Sequence, residues 1–548
     1  MKKLFAVFLL VLLGLSAVAL WLKPSRVRNG KIVLSYACPE FWAKREQVDL
    51  FNRLNPKYEV QIDAGNYDMD KVIVQSVAGV GPDLFNAYAA EQAAAYVKAG
   101  IAWDVTDAMK AAGIDVAGST WPATHAFTLF DGRVYGFPYS AFAEVLFYNK
   151  DIFDRMKIPY PTGTLQRAEF LDLAQRLTVR DESGRVRHYG FLFPSWQFWR
   201  DLIRQWGGRI FSADGTRCEF DCPENIAAIQ FMQDLIWKYG VSPSPEQESG
   251  MATTGGWGSG NITWFGSGRA GLTMGGRHYQ VAYRQKDQYP NLRIGIVDCQ
   301  FGPIRASSGY AGCVMINRYS PLRDHALNYL KFMSGDTFNE LVNSQADGLA
   351  PVKHFAYTEA FLHNPAHPEE DQNEVWRGVL EIAKPDETCA FVNEAVANRI
   401  INEQLDLVRN NQKTAEEALK SAARQINAKI EKNLKKNKEL KARYDAIRAG
   451  KSSGCKDPRR AHGPAVGRRE HPFPAAELSE EVALAVEAAG LADGAGLKIR
   501  RGQHACGAPG IAFAQISRLG VGATARQGRG VPADRSQCVV VLSLNLRS

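Results

Sequence analysis

Trp196, Trp199, Trp206, Trp257 and Trp264 crowd one stretch of the chain, residues 196–264, and a glycine-rich run from Thr253 to Asn261 holds one of them. Shortly after comes Gly275-Gly-Arg-His-Tyr279. Indole rings on flexible turns, beside a fixed cation, suit a flat, hydroxyl-rich ligand that stacks and hydrogen-bonds. That is the chemistry of sugar capture. The same rings also suit a core, and Trp206 and Trp237 sit in apolar helical patterns that assign them there.

Catalysis finds no support in the residues. There is no phosphate-cradling glycine loop followed by Lys and Ser or Thr, and no His-Glu-x-x-His. The glycine-rich run around Trp257 follows no strand that would make it a dinucleotide site. His188, His278 and His354 are scattered without partners at metal-ligand spacing. A secreted glycoside hydrolase needs two carboxylates across a bond, and nothing singles out a pair. No enzyme, cofactor or metal is expected.

The elements that must position these side chains can be read from periodicity. Lys31–Tyr36 and Tyr58–Ile62 are strands, with a helix from Trp42 to Leu54 between them. A helix over 70–80 ends at Gly79. The strand at Asp83-Leu-Phe leads to a helix, Glu91–Ala99, closed by Gly100. Further strands fall at Glu144–Tyr148 and Cys313–Asn317, and further helices at Glu169–Leu177, Asn225–Tyr239 and Asp324–Met333. From Thr388 to Tyr444 the chain reads as almost wholly helical, and Thr414 with Glu417 forms a capping box. Alternating strands and helices predict an α/β fold with a mainly parallel sheet.

The ends differ from the body. Met1-Lys-Lys3 precedes an uncharged apolar run, Leu4–Leu22, with small residues at Ala17 and Ala19. Residues 1–22 are therefore expected to be a signal peptide, or else an N-terminal anchor. Cys38 is the first cysteine, too far on for a lipoprotein. Past Gly450 the chain becomes rich in Gly, Ala, Arg and Pro, and residues 451–548 are expected to be a disordered tail. The tail holds 14 basic and 8 acidic residues of a chain whose formal charge is +8, so the body is near neutral and a nucleic-acid partner is not expected. Nine cysteines are too few for a disulfide scaffold. Cys218 with Cys222, or Cys299 with Cys313, could pair, and the sequence leaves both open.

Motifs in order along residues 31–450 carry a resemblance. They are Ala78-Gly-Val-Gly-Pro-Asp83, Tyr135-Gly-Phe-Pro-Tyr139 and Leu146-Phe-Tyr-Asn-Lys-Asp-Ile-Phe153. Phe265-Gly-Ser-Gly-Arg-Ala-Gly-Leu-Thr-Met-Gly275, Leu349-Ala-Pro-Val-Lys353, Thr414-Ala-Glu-Glu-Ala-Leu419 and Gln425-Ile-Asn427 follow. The chain resembles the extracellular solute-binding proteins of bacterial ABC importers, in the sugar-binding branch that includes maltose-binding proteins. That resemblance implies a two-lobed type II periplasmic binding fold, with the ligand between lobes that close by hinge motion. It implies one lobe from 31–140 plus 306–347 and another from 141–305 plus 348–450. The crossings between them would fall near Pro138–Phe142, Gly302–Gly309 and Leu349–Pro351.

The resemblance also implies where the ligand would be met. Glu40 and Trp42 follow the first strand, and Asp83 ends a strand, where an N-cap role is the alternative. Tyr139 and Glu144 lie on the first crossing, and of the two Tyr139 is assigned to the ligand. Trp199, Trp257 and then Trp264 are the stacking candidates. Gly275 and Gly276 would let a backbone approach the ligand, with Arg277 as a bidentate donor. Phe391 falls near an aromatic contact of the maltose-binding branch. The function so implied is capture of a sugar or oligosaccharide outside the cytoplasmic membrane by a monomer, and delivery to a membrane permease. Arg277 motivates a second reading, an anionic solute such as glycerol phosphate or a phosphorylated sugar. An uncleaved leader would make the chain a membrane-anchored sensory binding protein.

Overall fold

The computed structural model describes residues 26–250 and 260–450. Trp257, the leader and the tail lie outside the described residues.

Eight strands frame the fold: β1 (Lys31–Ala37), β2 (Tyr58–Ile62), β3 (Leu84–Ala87), β4 (Gly136–Asn149), β5 (Val186–Leu192), β6 (Ala270–Gly276), β7 (Ile294–Gln300) and β8 (Ser307–Ile316). They belong to one curled sheet, completed by short edge strands. β1 runs parallel to β2 and to β3. β8 then pairs antiparallel with β3 on one side and with β4 on the other.

β4 is the element on which the architecture turns. All fourteen of its residues are buried, and its sequence is nearly continuous in apolar residues, as a strand covered on both faces requires. Its first half, as far as Ala143, pairs with β8. From Glu144 onward it pairs with β6, and from Leu146 with β7 as well. One strand thus feeds two half-sheets. Leu349 exchanges two backbone hydrogen bonds with Ala141, at 2.9 and 3.0 Å, and Gly309 of β8 pairs with Ala143 two residues on.

Each half-sheet has its own apolar core. Leu34, Phe51, Leu84, Phe137 and Val314 belong to the first. Phe170, Phe198, Leu235, Leu272 and Ile426 belong to the second. A third cluster, with Trp121, Phe147, Tyr189 and Trp376, lies around β4. The helices follow the sequence pattern closely. Trp42–Leu54 turns Ala43, Val48, Leu50 and Phe51 inward. Asp68 caps Met69–Val77 by accepting from the amides of Asp70 and Lys71. The capping box at Thr414 and Glu417 opens the helix Ala415–Lys436, which packs on Glu394–Arg409 and Pro223–Trp237.

Two expectations are corrected, and the cysteine pairings left open by the sequence are answered. The sheet is mixed, because β4 and β8 run antiparallel to their main partners. Trp237 is half-exposed, with its indole nitrogen donating to the Arg409 carbonyl at 2.9 Å. Cys218, Cys222, Cys299 and Cys313 are all unbridged.

Candidate functional site: a polar cleft with aromatic walls

A cleft of about 270 Å³ opens between helices and loops attached to the two half-sheets. Tyr88, Glu91 and Phe127 line it from the β1–β3 side. The helix Ser195–Gln205 supplies Gln197 and Arg200, the segment before residue 390 supplies Asp386 and Glu387, and the helix Glu394–Arg409 supplies Glu394 and Asn398. Gly309 and Tyr310 come from β8. The walls touch where the Asn398 amide donates to Glu91 Oε1 at 3.4 Å.

Local structure explains how these groups are held. Tyr88 follows β3, and the Asn86 amide donates to its hydroxyl while Tyr36 donates to the Asn86 carbonyl oxygen. Its ring meets Tyr139 edge-on at 6.0 Å. Tyr310 lies flat against Phe142, with centroids 5.0 Å apart, and donates its hydroxyl to Glu144 Oε1 at 2.6 Å. On the opposite wall Arg200 Nε donates to Asp386 at 2.6 Å, and Arg200 also reaches the Asn398 carbonyl oxygen at 3.4 Å. Glu387 accepts from the backbone amides of Ile210 and Phe211 at 2.7 and 3.0 Å.

Three acids in and behind the cleft titrate abnormally. Burial pushes Glu394 up to about 7, with Glu91 and Asp386 adding repulsion. Burial raises Glu144 to about 8 against the opposing bond from Tyr310, and the Asp201 charge adds to the rise. Asp201 is held up to about 7, again by burial first, although it accepts from the Ser308 amide at 2.7 Å. Clefts that gather perturbed acids are where function concentrates. Among the described residues, no group of three or more His, Cys, Asp or Glu is placed to hold a metal ion.

The chain's family follows from a match over residues 37–338, more than half its length, to the family described as bacterial extracellular solute-binding protein. The chain belongs to the bacterial extracellular solute-binding proteins. Family and fold are therefore those of binding proteins. An ABC substrate-binding protein of Listeria monocytogenes in complex with cycloalternan is similar in structure, with a TM-score of 0.61 and 23% identity. The likeness covers 72% of this chain and 98% of that one. The maltose/maltodextrin-binding domain from Bdellovibrio bacteriovorus bound to maltotriose gives a TM-score of 0.58 at 15% identity, over 74% of this chain and 100% of the other. The fold is that of these two-lobed proteins. A protein of Brucella abortus (strain 2308) is 23% identical over 245 residues, 43% of this chain. The chain spans about half the length of such curated relatives, 55%.

Within this solute-binding fold, the residues singled out in sequence scatter. Tyr139 and Trp199 lie behind the cleft, against the lining residues Tyr88 and Arg200. Tyr139 is buried under the Lys44 ammonium, 3.6 Å above its ring, and Gly312 leaves room for it, since a Cβ there would meet the ring at 2.0 Å. Trp199 is fully buried, with Arg200 across its face at 4.3 Å and Phe220 at its edge. Its expected stacking face is occupied. Asp83 is buried in the first half-sheet, bound by Arg26, by the amide and hydroxyl of Ser35 and by the Ser320 hydroxyl.

Arg277 is buried as well, and both terminal nitrogens are spent on backbone carbonyls: Gly348 at 2.8 Å and Asn343 at 2.9 Å. It is bidentate, as expected, but toward the protein. Gly275 and Gly276 are approached by the rings of Tyr279 and His278, on the side where a Cβ would lie. Phe391 is buried, edge-on to Tyr444 at 5.1 Å. Glu40 and Trp42 are exposed, Glu40 pairing with Arg45. Trp264 lines a separate surface groove with Arg180 and Tyr189.

Tyr88, Glu91, Arg200, Asp386, Glu394, Asn398 and Tyr310 were all passed over in sequence. Glu91 and Glu394 each stand in the first turn of a helix, where acidic residues are common for their own reason.

Proposed function

We propose that this chain captures a saccharide in the cleft and hands it to the membrane permease of an ABC importer, without chemistry of its own. The observation that carries this is the composition of the cleft: rings of Tyr88, Phe127 and Tyr310 beside Glu91, Arg200, Asp386, Glu394 and Asn398. A sugar presents an apolar C–H face to a ring and hydroxyls to carboxylate, amide and guanidinium groups. The volume, about 270 Å³, lies just below the usual range of ligand pockets, about 300–1,000 Å³, which favours a mono- or disaccharide. The ligands named with the Listeria and Bdellovibrio proteins, cycloalternan and maltotriose, support the same class.

Segments about three hundred residues apart contribute the two walls, so closure of the lobes alone can complete the contacts. The anionic-solute reading loses its motive, because Arg277 is committed to carbonyls. Four carboxylates and one guanidinium line the cleft, a balance that repels anions. We place the protein outside the cytoplasmic membrane, as a monomer with no nucleic-acid partner. Among the described residues no helix is long and apolar enough to cross a membrane.

Titration of the purified full-length chain with mono- and disaccharides tests the reading. Saturable heat, with thermal stabilisation of about 2.7 kcal/mol at a hundred times the Kd, is expected. No response to any saccharide at millimolar concentration would remove it.

A further inference from the structure

We propose that the saccharide taken by this cleft carries a protonated amine, seated between Glu91 and Glu394. The proposal rests on the saccharide reading and narrows it. Its basis is an uncompensated pair of carboxylates inside a ring-walled cavity, on opposite sides of the gap that closure must shrink.

The charges can be followed one by one. Arg200 is engaged by Asp386 and Asn398. Arg204, behind it, donates to Ser308, to the Pro385 carbonyl and to Asp386. Glu387 is satisfied by two backbone amides. Glu91 and Glu394 remain. Glu91 accepts only the long bond from Asn398 among the described residues. The Glu394 carboxylate accepts none among them, although it opens the helix Glu394–Arg409.

A carboxylate in the first turn of a helix is normally favoured in its charged form by the helix dipole. Glu394 is pushed the other way, by burial and then by Glu91 and Asp386. Closing such a cleft on a neutral ligand leaves like charges desolvated against each other, a cost that hydroxyl donors reduce only in part. An ammonium supplies the missing cation and strengthens each hydrogen bond it donates. Tyr88, Phe127 and Tyr310 line the same space, and π-faces also attract such a group.

The test is isothermal titration of the full-length chain at pH 7.5 with D-glucosamine, D-galactosamine and D-mannosamine, each beside its N-acetyl derivative and its neutral parent. Spermidine is a separate arm. At least one amine sugar is expected to bind about tenfold tighter than its neutral and N-acetyl counterparts. In Glu394→Gln or Glu91→Gln, checked for native circular dichroism, that preference should fall to within about threefold. If neutral or acetylated forms bind as tightly as the amines, the proposal fails and the saccharide reading stands. If spermidine binds and no sugar does, both fail and the cleft is a polyamine site. Absence of binding by every probe overturns the proposal too.

Discussion

Replacing Asp83 by alanine separates a structural carboxylate from a ligand-binding one. Asp83 is wholly buried and accepts from the Ser35 amide at 2.8 Å, the Ser35 hydroxyl at 2.9 Å and the Ser320 hydroxyl at 2.6 Å. Arg26 pairs with it at 2.7 Å. Each donor left unsatisfied in the interior costs about 1–3 kcal/mol, the hydroxyls at the low end because they can rotate toward other acceptors. The Arg26 side chain is 43% exposed, so it rehydrates and its pairing adds about 1 kcal/mol at most. The sum is a loss of about 3–5 kcal/mol. In a chain of this size that lowers the melting temperature by about 3–6 °C. Melting followed by circular dichroism measures it, with Asp83→Asn, which keeps an acceptor, expected in between. If the alanine variant melts within about 1 °C of the parent, the bonds around Asp83 do not carry the stability assigned to them.

Other variants test neighbouring assignments. Arg277→Met should cost about 2–4 kcal/mol in urea titration by orphaning the Asn343 and Gly348 carbonyls, and Arg277→Lys should not restore it, because an ammonium cannot span both. Trp199→Ala should lose about 3–5 kcal/mol as a large cavity opens in the second core. A stable Trp199→Ala that no longer binds saccharide would return that ring to the ligand. Glu144 and Asp201 hold protons more tightly folded than unfolded, being raised to about 8 and about 7. Their contribution to stability is therefore greatest below the unfolded carboxylate range, near pH 4, and declines as pH rises toward 8. Glu144→Gln removes its share of that decline, so its stability relative to the parent should climb between pH 4 and 8, on the order of a few kcal/mol. A difference that stays flat with pH would contradict the raised titration of Glu144.

Local patterns carried the fold well. The helix Trp42–Leu54 and the strand Tyr58–Ile62 have the limits that periodicity assigns, because capping and amphipathic spacing are properties of neighbouring residues. Strand direction is not such a property. Fourteen buried residues in β4 read as a short strand, and nothing in them states that β8, β6 and β7 pair antiparallel to it. The site was least legible. Its walls join Tyr88 and Glu91 to Asp386, Glu394 and Asn398, which only the tertiary fold brings together. Side-chain type does not fix place: Trp199 and Arg277 have the chemistry of sugar contacts, yet both side chains are buried inside the protein. Tyr139 came nearest, one ring behind the lining.

A crystal structure of the full-length chain with the tightest saccharide found by titration tests the central claim most directly. Ligand density is predicted between Tyr88 and Glu91 on one wall and Arg200 and Glu394 on the other. Density at the Trp264 groove or beside Trp42, with the cleft free of ligand, would contradict it.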